Sequence, residues 1–161
     1  MKIAFFMYDT SPLFEIVTAK YLLQTKHDTY IIGEGDNIVS AENVTVEVDF
    51  KVTDDLADKL DALVITGGDI EKIDNIAGIN SILTKMYDKD KIVASICSGN
   101  SVLLNALNIT INDDIHGIKT VKKNVICASA EASNNFGIYL GRLLDIYEDE
   151  DDFYETIQFF G

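Results

Sequence analysis

Short runs of consecutive apolar residues, alternating with helical patterns, are the feature that most restricts how this chain folds. Runs of this kind do not alternate between core and solvent, so they indicate strands buried on both faces of a parallel sheet. The clearest runs lie at residues 2–7, 29–32, 62–65, 92–94 and 125–128. Because helical patterns separate most of them, the sequence predicts an α/β fold with a mostly parallel central sheet between two layers of helices.

Length and charge limit the classes of function. The chain has 161 residues without a linker or repeat, so we expect residues 1–161 to form a single domain with a substantial core. The formal net charge of −14 argues against nucleic acid as a partner, since phosphates require a basic surface. The same charge argues against binding to anionic membranes, and the apolar runs are too short to cross a bilayer.

The two cysteines and the N-terminal sequence favour a reducing compartment. No signal-like N-terminus is visible, so we predict a cytoplasmic protein with free thiols. The chain has no His-x-x-x-His, no Cys-x-x-Cys and no glycine-rich phosphate loop. We therefore expect neither a metal ion nor a cofactor, and a small molecule as the binding partner.

Cys97 lies where a buried strand changes directly into a helix. The strand residues 92–94 precede it, and the apolar helical pattern at Val102–Leu104 follows it. Unpaired N–H groups at the start of a helix favour an anion, so this position predicts a lowered pKa and a reactive thiolate at a nucleophile elbow. The alternative is an inert core cysteine, since free cysteines are often buried. The same positional argument predicts that Cys127, inside an apolar run, is such a core residue.

Two further features follow strand ends. Ser11-Pro12 predicts the start of a helix with Glu15 in its first turn, where the carboxyl is either exposed or directed toward the strand ends. Thr66-Gly67-Gly68-Asp69 follows the strand at 62–65 and is either an ordinary turn or part of a ligand site, with Gly67 and Asp69 contacting substrate. Right-handed crossovers place both features at the same sheet edge as Cys97, so we expect them to converge.

The motif DALVITGGD (61–69), followed by IVASICSGNSVL (92–103), resembles the ThiJ/PfpI family. That family belongs to the class I glutamine-amidotransferase-like superfamily and includes the parkinsonism-associated deglycase, intracellular proteases and isonitrile hydratases. The stretch VKKNVICASAEASNNFGIYLGRLL (121–144) is similar to the family's closing strand and helix. The resemblance implies a flavodoxin-like three-layer sandwich that assembles as a homodimer.

The resemblance also implies roles for individual residues. Cys97 would be the nucleophile, and Glu15 would hydrogen-bond the thiolate or shuttle a proton. The backbone N–H groups of Gly68 and Ser98 would form an oxyanion hole for the charge that develops when a thiolate attacks carbon.

One part of the chain departs from the family pattern. Many members carry a histidine after a threonine near the cysteine, whereas here the downstream histidine is His116, preceded by Ile115. His116 is either a general base or a surface-loop residue. The region 116–125 is also shorter than in the family, so a wall of the pocket is expected to be missing.

Three functions fit these observations. The first is an enzyme in which Cys97 adds to a small aldehyde, amide or isonitrile, with Glu15 moving the proton. The second is a redox or stress protein in which Cys97 is oxidised to a sulfinic acid held by Glu15. The third is a binding module that keeps the fold and has lost the chemistry.

Overall fold

The computed structural model describes residues 1–161 and contains nine strands and six α-helices. In chain order they are β1 (Lys2–Phe6), α1 (Phe14–Leu23), β2 (Asp28–Gly33), β3 (Asn37–Val39), β4 (Thr45–Glu47), β5 (Phe50–Lys51), α2 (Leu56–Lys59), β6 (Ala62–Ile65), α3 (Ile76–Asp88), β7 (Ile92–Ile96), α4 (Gly99–Ala106), β8 (Ile118–Lys122), β9 (Val125–Ala128), α5 (Ser133–Leu143) and α6 (Glu150–Phe160). Short 3-10 turns lie at Ile70–Lys72 and Ala130–Ala132.

Seven strands form the central sheet in the order β5-β2-β1-β6-β7-β9-β8. All neighbours in this sheet are parallel except β8, which runs antiparallel to β9. The hairpin of β3 and β4 stands apart as a two-stranded antiparallel sheet. The predicted α/β fold with a mostly parallel sheet is therefore confirmed.

Each face of the sheet carries its own apolar core, which explains the continuous apolar runs. Along β1 the side chains of Ile3 and Phe5 enter the core with α1 and α5, while Ala4 and Phe6 enter the core with α2, α3 and α4. Burying an aliphatic or aromatic side chain of this size stabilises the fold by about 1.5–3 kcal/mol. Because both faces are covered, the exposed ends of the strands are where side chains can meet a ligand. No helix is long and apolar enough to cross a membrane.

The start of α1 differs from the sequence prediction. Ser11 is fully buried rather than capping the helix, and α1 begins at Phe14. The Ser11 hydroxyl accepts a hydrogen bond from the Tyr8 N–H at 3.0 Å and lies 2.8 Å from the Thr66 hydroxyl oxygen. The side chain thus joins the ends of β1 and β6, a long-range pairing that overrides its local preference for a helix cap.

Helix α1 lies unusually close to α5. A Cβ atom at Gly137 would lie only 2.6 Å from the Ala19 backbone nitrogen, so glycine is required for this approach. Thr18 of α1 also donates a hydrogen bond to Asn134 of α5 at 2.6 Å. These contacts fix the position of α1, and with it the position of Glu15.

Candidate active site around Cys97

Cys97 lies at the turn between β7 and α4 in a backbone conformation that is rare for a residue with a side chain. Its φ of 57° falls in the left-handed region, which costs about 1–3 kcal/mol for a non-glycine residue. The Cys97 N–H donates to the Ala128 carbonyl at 2.9 Å, and the Cys97 carbonyl accepts from the Asn100 N–H at 3.1 Å. These bonds hold the turn in place and leave the thiol half-buried.

The two glycines beside this turn permit the close packing of the site. A Cβ at Gly99 would lie 2.5 Å from the Thr66 carbonyl oxygen, so α4 can begin against the end of β6 only with glycine there. A Cβ at Gly67 would lie 2.6 Å from Glu15 Oε1 and 2.8 Å from Cys97 Cβ. Gly67 therefore touches both side chains, and the structure brings Glu15 and Cys97 together.

Glu15 is buried, with 1 % of its surface exposed. Its Oε2 accepts a hydrogen bond from the Gly67 N–H at 2.6 Å, while its buried Oε1 has no hydrogen-bond partner. A buried carboxyl oxygen without a partner is costly unless it is protonated or meets a donor from a ligand. The helix pattern left open whether the Glu15 carboxyl is exposed or faces the strand ends. The structure shows that it faces the strand ends.

The prediction of a lowered thiol pKa is wrong. Burial raises the pKa of Cys97, and the negative charge of Glu15 raises it further, outweighing the neighbouring Ser98, which lowers it. Burial likewise raises the pKa of Glu15, outweighing the hydrogen bond from the Gly67 N–H and the nearby Cys97 thiol, which lower it. The ionisation of the carboxyl and that of the thiol are therefore coupled, since the charge of Glu15 opposes the formation of a thiolate beside it.

The Gly68 N–H is engaged by a side chain. It donates to the Ser98 hydroxyl oxygen at 2.9 Å, and that hydroxyl donates back to the Gly68 carbonyl at 2.7 Å. The Ser98 N–H lies near the Cys97 thiol and lowers its pKa, although burial and Glu15 raise it more. Two backbone N–H groups were expected to form an oxyanion hole. The N–H of Ser98 stays next to the sulfur, whereas the N–H of Gly68 is already bonded to the Ser98 hydroxyl.

Gly67 and Asp69, the expected substrate contacts, have structural partners. The Gly67 N–H holds Glu15. The Asp69 N–H donates to the Thr10 hydroxyl at 2.8 Å, and the exposed Asp69 carboxylate accepts from the Glu71 N–H at 3.2 Å. Asp69 thus caps the turn that follows β6, and a contact with substrate stays a prediction for both residues.

A cleft of about 470 Å³ opens at Cys97, and the segment 111–115 supplies one of its walls. Residues that precede the short 116–125 region therefore form this wall, and the loss of the wall that the family builds from that region stays a prediction. His116 is exposed and does not line this cleft. It lies instead near Glu131, whose pKa it helps to lower. The structure does not bring His116 to the thiol.

Tyr8 belongs to the site and was missed by the sequence reasoning. It is buried just after β1, its hydroxyl donates a hydrogen bond to the Thr66 carbonyl at 3.3 Å, and the Ser98 side chain lies beside it. Burial raises its pKa, so the phenol stays protonated and acts as a donor. Its position after a buried strand, at the same sheet edge as Cys97, is the signal that could have identified it.

The chain matches a known protein family over most of its length. The family model described as the DJ-1/PfpI family matches residues 1–141. The chain belongs to the DJ-1/PfpI family. Among curated DJ-1/PfpI relatives, deglycase TK1284 of Thermococcus kodakarensis is 31 % identical over 103 residues. The aligned part covers 55 % of this chain and 60 % of that protein, less than two thirds of its length.

Solved structures of DJ-1 proteins share the fold. The chain superposes on DJ-1beta of Drosophila melanogaster with a TM-score of 0.78 at 14 % identity, covering 98 % of this chain and 95 % of the other. It superposes on the DJ-1 superfamily protein Atu0886 of Agrobacterium tumefaciens with a TM-score of 0.79 at 17 % identity, covering 99 % and 97 %. At these identities the likeness confirms the flavodoxin-like fold alone.

Proposed function

We propose that the protein is a cysteine-dependent enzyme of the DJ-1/PfpI type that acts on a small carbonyl compound, with Cys97 as nucleophile and Glu15 as proton carrier. The observation that supports this most directly is the unpaired Glu15 Oε1 beside the thiol. A carboxyl held at one oxygen and unpaired at the other is placed to accept a proton and return it. The name of the relative TK1284, a deglycase, is compatible with carbonyl chemistry.

The first chemical step follows from these positions. The thiol proton passes to Glu15 as the sulfur forms a bond to the carbonyl carbon and the C=O π bond opens to an oxyanion. Glu15 then returns the proton to that oxygen, which gives a hemithioacetal with all atoms accounted for. The Ser98 N–H, adjacent to the sulfur, stabilises the developing charge. The same proton transfer would serve addition to an amide or an isonitrile.

Turnover measurements with purified variants test this proposal. We expect the wild-type protein to consume at least one of methylglyoxal, a simple amide or an isonitrile. Cys97→Ala should abolish turnover, and Glu15→Gln should lower kcat by about 10²–10⁴-fold, the usual contribution of a general acid–base. Cys127→Ala is the matched control and should keep wild-type kcat. Turnover that survives in Cys97→Ala would contradict the proposal.

The redox alternative has one observation in its favour. The unpaired Glu15 Oε1 and the Ser98 N–H flank the sulfur, where they are placed to hold the oxygens of a sulfinic acid. That product requires two peroxide molecules, each giving one oxygen to sulfur and leaving as water. Mild peroxide should then add two oxygens to the wild-type mass and none to Cys97→Ala. A protein without turnover that shows this gain would favour the redox function.

We also propose that the chain forms a homodimer. Phe14, Val17 and Tyr21 are each more than half exposed and lie on one face of α1, at 53 %, 56 % and 55 %. Exposed apolar faces of this kind are typical of protein contacts, and most soluble oligomers are symmetric. Light scattering after gel filtration should give twice the chain mass, and Val17→Asp should give a monomer. A monomeric wild-type protein at high concentration would contradict the proposal.

A further inference from the structure

The cleft at Cys97 contains negative charge and no positive charge. Its lining includes the carboxylates of Asp113 and Asp114 and no lysine, arginine or histidine. The remaining lining is apolar or neutral and polar, including Asn100, Asn112 and Ser129. An anionic substrate would therefore find neutral amide and hydroxyl groups here and no cation to balance its charge.

The two aspartates are not neutralised by other parts of the protein. Both are exposed, and neither takes part in any of the ion pairs that the structure contains. They belong to the segment 111–115, which lines the cleft together with the α4 residues Asn100 and Ser101. Glu15 is a third acidic group, and it lies next to the thiol. The net charge of −14 makes the surroundings more negative still.

From these observations we propose that Asp113 and Asp114 determine specificity, and that the cleft selects electrophiles that carry a positive charge. The substrate class is a small carbonyl compound with an ammonium or guanidinium group, the carbonyl directed at Cys97 and the cation at the aspartates. The assignment of a substrate rests on the proposed function of Cys97, whereas the charge selection can be measured without turnover.

The expected size of the effect follows from electrostatics. A unit charge at about 4 Å in bulk water changes an equilibrium or rate by about fivefold, and the effect is larger in a cleft with low-dielectric walls. Two aspartates attract a cation and repel an anion. At low ionic strength the rate for the cation should therefore exceed the rate for the anion by about tenfold or more. At 1 M salt, where the screening length is about 3 Å, most of this preference should disappear.

Thiol reagents that differ in charge provide the test. The rate of Cys97 modification is measured by intact mass for a trimethylammonium-ethyl methanethiosulfonate and for the sulfonate-ethyl analogue, each divided by its rate with 2-mercaptoethanol. Cys97→Ala defines the background from buried Cys127. We expect a normalised cation-to-anion ratio of about ten or more in the wild-type protein.

The double variant Asp113→Asn, Asp114→Asn should reduce the ratio to about one-fifth or less of the wild-type value, because it removes both charges and keeps similar shape. Asp28→Asn is the matched control: this exposed aspartate begins β2 at the opposite edge of the sheet, and its loss should leave the ratio within about twofold. A wild-type ratio near one, or a ratio unchanged in the double variant, would overturn the proposal. An equal reduction in Asp28→Asn would assign the preference to the net charge and would overturn it as well.

A comparison of aldehydes then separates this proposal from the proposed function. If the protein turns over aldehydes, a quaternary-ammonium aldehyde should have a higher kcat/KM than a neutral aldehyde of similar size, and the double variant should remove the difference mainly through KM. Charge selection by the reagents without turnover of any aldehyde would contradict the enzyme and retain the cation-selective cleft. Turnover of an aldehyde without charge selection would support the enzyme and contradict the cation-selective cleft.

Discussion

The two cysteines of this protein occupy neighbouring parallel strands and differ in almost every respect that matters for reactivity. Cys127 lies inside β9, fully buried, with the Ser95 hydroxyl 3.5 Å from its sulfur. Cys97 lies just past the end of β7, half-buried, in a left-handed conformation and next to Glu15. Burial is the main cause that raises the pKa of both thiols. The direction of the pKa shift therefore does not distinguish them.

What distinguishes Cys97 is access and a partner for its proton. The end of a strand opens onto a cleft, whereas the middle of a strand does not. The carboxyl beside Cys97 raises the thiol pKa and also offers a buried acceptor for the proton when the sulfur reacts. A thiol of this kind is activated at the moment of reaction rather than held as a thiolate beforehand.

The largest expected effect comes from filling the space between the carboxyl and the thiol. In Gly67→Ala the added methyl group would lie 2.6 Å from Glu15 Oε1 and 2.8 Å from Cys97 Cβ, so one of the two side chains must move. We expect a loss of about 3 kcal/mol in the free energy of unfolding, measured in urea, as for other overpacked sites. We expect kcat to fall with it.

Gly35→Ala is the control for this variant. A Cβ there would lie 3.4 Å from the Asn37 carbonyl oxygen, an ordinary contact, so stability should change by about 0.5 kcal/mol or less. Equal stability of the two alanine variants would show that Gly67 does not hold the carboxyl and the thiol together.

Replacing each cysteine should have unequal effects on stability. Cys127→Ala leaves a cavity in the core and should lower the free energy of unfolding by about 1–2 kcal/mol. Cys97→Ala should change it by about 0.5 kcal/mol or less, because the thiol is half-buried. Cys97→Gly should be about 1 kcal/mol more stable than Cys97→Ala, since glycine adopts a positive φ without strain. Urea unfolding curves measure all three, and a larger loss in Cys97→Ala than in Cys127→Ala would reverse the comparison.

A smaller effect is expected at Ser98, beside Cys97. Ser98→Ala removes the hydroxyl that occupies the Gly68 N–H and so restores a second donor to the oxyanion site. We expect kcat/KM for a carbonyl substrate to rise by about fivefold, part of the contribution that one such donor can make. Ser101→Ala, which removes an exposed hydroxyl bonded to the Ser98 carbonyl, is the control. A decrease in kcat/KM in Ser98→Ala, without a decrease in Ser101→Ala, would show that the Ser98 hydroxyl assists the thiol.

Most of the fold could be predicted from local patterns. The apolar runs identified the strands because both faces of the sheet are covered, and the direct change from strand to helix located the turn at Cys97. The side of α1 on which Glu15 lies was left open, because the periodicity of one helix does not say which strand ends it faces. The packing of Gly137 against α1 is what determines it.

The electrostatics of the site could not be read in this way. A helix start favours an anion, and that local rule predicted a lowered thiol pKa. Burial and the charge of Glu15, which depend on residues distant in the chain, reverse its direction. The bond between the Ser98 hydroxyl and Gly68, and the burial of Ser11 against Thr66, are likewise long-range pairings that leave no local signal.

The coupling of Glu15 with Cys97 is the central claim, and the pH dependence of Cys97 alkylation tests it most directly. The rate with iodoacetamide is measured from about pH 6 to about pH 10 in the wild-type protein and in Glu15→Gln. Because the carboxylate raises the thiol pKa, its removal should shift the profile to lower pH and speed alkylation at pH 7, even though turnover falls. Coincident profiles in the two proteins would contradict the account.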